Sequence, residues 1–187
     1  MDYLASAGAL LINTFLGLYL YLVLLRFWMQ VMRADFANPI GQFVISVTNP
    51  VIVTLRALLP PIGKIDTASV VFAWLIATLK ISLILWLTYS QWPHALQMLV
   101  FGLSEMIRAS VHIFIAAIFV MVVASWVASG GYHPLVYIAN QLVAPLLTPL
   151  RRLLPSFSGL DFTPLFLLVF LQLLLILVVA PLAPPIR

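Results

Sequence analysis

Between Leu165 and Leu182 the chain carries one polar side chain, Gln172. A run of that length and character has few folded forms open to it. In water it would aggregate, whereas in a bilayer about 20 helical residues cross a hydrocarbon core about 30 Å thick with every peptide group bonded internally. Three more windows share this character: Leu4–Leu25, interrupted chiefly by Asn13; Ala68–Leu87, by Lys80; and Val111–Val127, by His112 and Ser125. Their continuity argues against a β-barrel, whose strands alternate apolar and polar residues over about ten positions. The expectation is an all-α membrane protein with four transmembrane helices.

Charge supports this reading. Only 7% of the 187 residues are charged, against about a quarter in soluble domains. The net charge of +4 is spread over single basic residues and one Arg151–Arg152 pair, so no nucleic-acid footprint is expected. The absence of cysteine excludes disulfides, thiolate catalysis, iron–sulfur ligation and thioether haem attachment to this chain. The stretch that holds the first apolar window begins "MDYLASAGALL", with an acid where a secretory signal has a basic region and no clear cleavage site. It reads as a retained anchor.

The chain also repeats itself. Residues 39–66 and 134–161 align without a gap at a shift of 95, with identities at Pro39/Pro134, Pro50/Pro145, Leu55/Leu150, Arg56/Arg151, Leu58/Leu153, Leu59/Leu154, Pro60/Pro155 and Asp66/Asp161. Trp28 and Trp126 end the preceding apolar helices once a short gap is allowed. The unit is therefore helix, linker, helix, occurring twice, with expected domains 1–94 and 95–187. Two crossings per unit bring both linkers to one face of the membrane, as a parallel repeat. Arg33, Arg56 and Lys64 fall in the first linker and Arg151 and Arg152 in the second, while the central "SQWPHALQMLVFGLS" has no Lys or Arg. The positive-inside rule then places linkers 39–66 and 134–161 in the cytoplasm and both termini outside.

Pro50 and Pro145 suit the first turn of a helix, with Asn49 as N-cap of the first copy; Pro60–Pro61 and Pro155 end each helix about ten residues later. Polar residues Gln42, Ser46, Asn49 and Arg56, and in the second copy Tyr137, Gln141, Thr148 and Arg151, step by three, four and seven, along one helical face. Such segments are too short to span, and an interfacial position is favoured over a re-entrant one. Asp66 and Asp161 each follow an arginine by ten residues, so Arg56–Asp66 and Arg151–Asp161 pairs are expected to close the linkers. The competing reading has the arginines reaching headgroups and the aspartates capping the next helices.

The run "PLLTPLRRLLP", its weaker twin "PVIVTLRALLP", and the following "GLDF" or "KID" before an apolar crossing resemble the repeat of the YGGT family of integral membrane proteins. The likeness covers nearly the whole chain as two tandem copies, as in the proteobacterial form. The first copy departs at Ala57, where the second has Arg152, and at Thr67–Ala68, where the second has Phe162–Thr163–Pro164. The resemblance implies an inner-membrane protein linked to envelope biogenesis, division, osmotic stress tolerance or cytochrome-complex maturation. It defines no reaction.

Lys80 lies near the middle of its crossing, where a charge is costly and faces the protein interior or water; Glu105 or Asp66 would be its partner. Glu105 and Arg108, at i,i+3, can pair on a helix at or before the third crossing. Arg26 reads as an anchor at the inner end of the first. His112 lacks a facing axial ligand, since His94 and His133 sit in connections, so no cofactor or metal is expected. No H-E-x-x-H, P-loop, G-x-S-x-G or G-x-G-x-x-G occurs. The tryptophans and tyrosines near the crossing ends read as interface belts.

The leading expectation is a non-enzymatic membrane organiser or scaffold whose linkers meet anionic headgroups, other membrane proteins or a second copy. The rival is an ion or osmolyte path between the repeats, lined by Lys80 and Gln172. A weaker third is assembly of a membrane cytochrome complex.

Overall fold

A computed structural model describes residues 3–63, 65–90, 92–127, 133–153 and 161–184. Among them are six principal helices: α1 (Tyr3–Val31), α2 (Pro39–Arg56), α3 (Thr67–Tyr89), α4 (Ala95–Val127), α5 (Pro134–Leu153) and α6 (Thr163–Leu174). A π-helical turn, Leu175–Val179, carries the last of these on to Leu182. Four are long and apolar enough to cross a membrane: α1, α3, α4 and the α6 helix with its continuation. The protein is a multi-pass membrane protein.

The third crossing is longer than its hydropathy suggests. It starts at Ala95, sixteen residues before Val111, so most of the expected central connection is helix. The turn is confined to the residues around Ser90, whose left-handed φ of 55° ends α3. His94 opens α4, its carbonyl accepting from Met98 N and its own N–H bonding Gln97 Oε1. At 1.5 Å per residue, the 33 residues of α4 reach about 50 Å, and Arg108 lies well inside the helix.

Contacts fix the helix directions. Gly8 lies beside Leu87 and Gly17 beside Lys80, and Tyr19 packs edge-on against Phe72, so α1 and α3 are antiparallel. Along α1 and α4 the pairs ascend together, Tyr21 OH with His112 Nδ1 at 3.1 Å and Trp28 edge-on against Phe114, so those two run parallel. Both linkers therefore lie at one end of the bundle, where α2 touches α5 and Gln141 Oε1 accepts from Asp35 N at 2.9 Å. One core joins α1, α2 and α3 around Leu20, Val23, Ile52 and Ala77. The other joins α4, α5 and α6 around Ile118, Leu142, Val143 and Leu171, with Met29 reaching in from the end of α1. The helices α3 and α4 meet backbone to side chain at Gly102, where an added Cβ would fall 1.9 Å from Thr78 Oγ1.

The linker helices begin one repeat proline earlier than expected. Asn38, not Asn49, caps α2: its side chain accepts from Gly41 N at 2.9 Å, and Pro39 occupies the first turn. Pro134 starts α5 likewise. Pro50, Pro145 and Pro149 sit inside their helices, each removing one hydrogen bond and freeing the carbonyl four residues back. All three face outward, where that carbonyl can find water or headgroups. Pro155, expected to end the second helix, and Lys64 lie outside the described residues.

Candidate functional site

Two constellations gather the polar side chains of this apolar chain. The first fastens the linkers. Arg56, at the last turn of α2, meets Asp66, just before α3: Nη2 lies 2.5 Å from Oδ2 and Nε 3.2 Å from Oδ1, a two-pronged pair. Asp66 is fully buried and also accepts from Ser69 Oγ at 2.6 Å. Burial alone would raise its pKa; hydrogen bonds from Arg56 and Ser69, with the charges of Arg56 and Arg26, outweigh this and hold it below its ordinary value. The same bond raises Arg56. Thr67 Oγ1 closes the loop by donating to Pro60 O at 2.7 Å.

Arg26 departs from the expected anchor role. It is buried and turned onto α2, donating to Thr48 Oγ1 at 2.7 Å and Asn49 Oδ1 at 2.8 Å. The polar stripe of α2 is therefore partly an inward face: Asn49 accepts from Arg26, and Arg56 donates to Asp66.

The second linker is closed by the corresponding pair, with Arg151 Nη2 and Nε each 2.9 Å from Asp161 Oδ2. Asp161 is held below its ordinary pKa, chiefly by its hydrogen bonds to Thr163 and then by Arg151. Here the side chains are 53% and 45% exposed, against 35% and 0% for Arg56 and Asp66. Arg152 is exposed and has no ion pair among the described residues.

The second constellation lies between α1, α3 and α4. Lys80, expected to pair with Glu105 or Asp66, pairs with Glu105, and its Nζ also donates to Asn13 Oδ1 at 3.2 Å. Arg108 Nε stands 4.0 Å from the other carboxylate oxygen. Tyr21 OH and His112 Nδ1 are 3.1 Å apart at the rim. These groups line a cleft of about 570 Å³ with Thr14 and Gly17. Lys80 and Glu105 form its floor, 6% and 13% exposed, and Arg108 its flank, 39% exposed. Gln172 is not brought here: it points outward from α6. The cleft belongs to the first repeat plus α4, so the expected lining of Lys80 with Gln172 is not formed. The sequence marks Asn13 and His112 only as polar interruptions of their crossings and does not single out Tyr21, because each is an ordinary helix residue until three helices are placed together.

Comparisons with known proteins follow the same division. The CCB3/YggT family model matches twice, at residues 5–87 and 100–182, two stretches displaced by the same 95 positions. A Pseudomonas aeruginosa protein, "Uncharacterized protein PA0392", is 40% identical over 181 residues, covering 96% of this chain and 92% of its own. A Vibrio alginolyticus protein, "Uncharacterized protein in proC 3'region", is 38% identical over 168 residues, covering 89% and 90%. The Escherichia coli "Uncharacterized protein YggT" is 37% identical over 164 residues, covering 88% and 85%. No solved structure matches the chain. The chain belongs to the CCB3/YggT family, of which it carries two tandem copies.

Proposed function

We propose that the protein is a non-enzymatic scaffold of the bacterial inner membrane, presenting α2 and α5 at the cytoplasmic surface to organise neighbouring membrane proteins. One observation carries this reading: the two linker helices meet at one end of the bundle and turn large apolar side chains outward, Phe43 and Val53 from α2 and Leu135 from α5. A helix pinned from behind by Arg26 and Asp66 keeps that outward face in a fixed orientation. The distribution of Lys and Arg favours the cytoplasmic side, since the short turn between α3 and α4 has neither. Arg33 and Arg152, both exposed and without an ion pair among the described residues, are the cations free to meet anionic headgroups, where each would contribute about 1 kcal/mol. Arg56 is occupied by Asp66.

The test places photo-crosslinking residues at Phe43, Val53 and Leu135 in native membranes and measures potassium flux in proteoliposomes. A scaffold gives adducts with a reproducible set of proteins and background flux. Adducts no more specific than those from lipid-facing Leu177 would overturn it. A second reading, a solute path, is favoured by one observation: a buried ion pair at the floor of a polar cleft within the membrane-spanning helices. Its mark would be flux that disappears in Lys80→Leu.

A further inference from the structure

The cleft between α1, α3 and α4 has a charge and hydrogen-bond inventory that does not close on itself. Lys80 and Arg108 carry two positive charges and Glu105 one negative, leaving +1 with His112 neutral. Donors are left over as well. Glu105, the cleft's one carboxylate, has Lys80 on one oxygen and Arg108 beside the other. Arg108 has five N–H groups, yet none of them has a hydrogen bond among the described residues, and the Glu105 carboxylate stands 4.0 Å from its Nε, beyond hydrogen-bond reach. The Oδ1 of Asn13 accepts from Lys80, which directs its amide NH2 elsewhere. In the Tyr21–His112 pair, either the phenol donates and imidazole Nε2–H remains, or Nδ1–H donates and the phenol O–H remains. Either way one donor is left.

An unneutralised cation among membrane-spanning helices is costly. A cavity of about 570 Å³ leaves room for a small guest and several waters. We propose that this cleft binds a small monovalent anion, a halide or a short carboxylate, seated between Arg108, Lys80 and the amide of Asn13. Glu105 sets the affinity by opposing the guest's charge and keeps the empty site from carrying +2. The site is independent of what α2 and α5 dock, so its failure and the failure of the scaffold reading are separate outcomes.

The test uses the full chain, purified in neutral detergent. Thermal stability and tryptophan fluorescence are followed while sodium chloride, or in a second arm sodium acetate, replaces sodium gluconate at constant ionic strength. The expected result is a saturable stabilisation by chloride or acetate, the arms separating halide from carboxylate. Arg108→Gln should weaken it by about tenfold or more, and Glu105→Gln should tighten it by about tenfold as the site's charge becomes +2. Glu105→Gln separates binding from a merely structural ion pair, which would only be damaged by the change. If Arg108→Gln fails to fold, Arg108→Lys keeps the charge without the fork, and its binding should be weakened but measurable. No saturable response in the unaltered protein to either anion would overturn the proposal, as would Glu105→Gln weakening the response.

Discussion

The first and second linkers share their prolines, their Arg–Asp spacing and their place at one end of the bundle, yet they are held by different physics. In the first, Arg26 reaches back to Thr48 and Asn49, and a fully buried Asp66 gathers Arg56 and Ser69. Shifting by 95 turns Arg26, Thr48 and Asn49 into Met121, Val143 and Ala144. Val143 is fully buried, with Met121 packed against the same core. A polar fastening in one copy is an apolar one in the other, and the Arg151–Asp161 pair is left half-exposed. Breaking a buried charge pair by removing one partner typically costs several kcal/mol, whereas exposed pairs contribute about 0–1 kcal/mol. The same motif therefore has unequal weight in its two positions.

The largest expected effect is in Asp66→Asn. It leaves Arg56 and Arg26 without their buried counter-charge, and stability in detergent should fall by about 3 kcal/mol, discounted from the fully buried case because Arg56 is partly exposed. Equal losses for Asp66→Asn and Asp161→Asn would erase the distinction between the linkers.

Arg26→Met should cost about 2 kcal/mol, because Thr48 and Asn49 lose a charged donor. The triple change Arg26→Met, Thr48→Val, Asn49→Ala writes the second copy's solution into the first. It should recover at least half of that loss, and a triple variant no better than the single one would contradict the equivalence of the two fastenings.

Gly102→Ala asks whether the close approach of α3 to α4 is as tight as the geometry implies. The added methyl overlaps Thr78, backbone included, so about 1–3 kcal/mol should be lost, measured by the same thermal or denaturant titration. A neutral result would mean the two helices can separate freely.

The smallest effect is Asp161→Asn, below about 1 kcal/mol. Acid should distinguish the same two carboxylates. Asp66 has a folded pKa below its ordinary 3.8, so its contribution is fully present above that value and disappears as pH falls through the lower, folded one. The unaltered protein should lose stability below about pH 4, and Asp66→Asn should flatten much of that dependence. Arg56, raised above an already high value, adds no slope in the accessible range.

Much of this architecture was legible. Continuous apolar runs mark the crossings, and the gapless shift of 95 marks the repeat and the ten-residue Arg–Asp spacing that the structure closes in both copies. The rotation of each spanning helix about its own axis was not legible. Both faces of a spanning helix are apolar, so hydropathy gives no phase and could not say that Arg26 turns inward or Gln172 outward. The early start of α4 was hidden because Glu105 and Arg108 dilute the hydropathy of a segment in which Glu105 is met by Lys80 of α3 and Arg108 opens on the cleft. Pro50 and Pro145 misled because proline signals a first turn most often, and only their exposed positions explain how a helix continues through them. Lys80 was recognised as anomalous from its depth, but Asn13, Tyr21 and His112 entered the cleft through packing alone.

The central claim is that one hairpin occurs twice in the same orientation, with both linkers on one side of the membrane. The chain lacks cysteine, so single cysteines at exposed Ser46 of α2, exposed Asn140 of α5 and His94 before α4 can be tested in intact cells with a membrane-impermeant thiol reagent. Ser46→Cys and Asn140→Cys should both be protected until the membrane is opened, while His94→Cys reacts at once. Reaction of Ser46→Cys and Asn140→Cys from opposite sides would contradict the account.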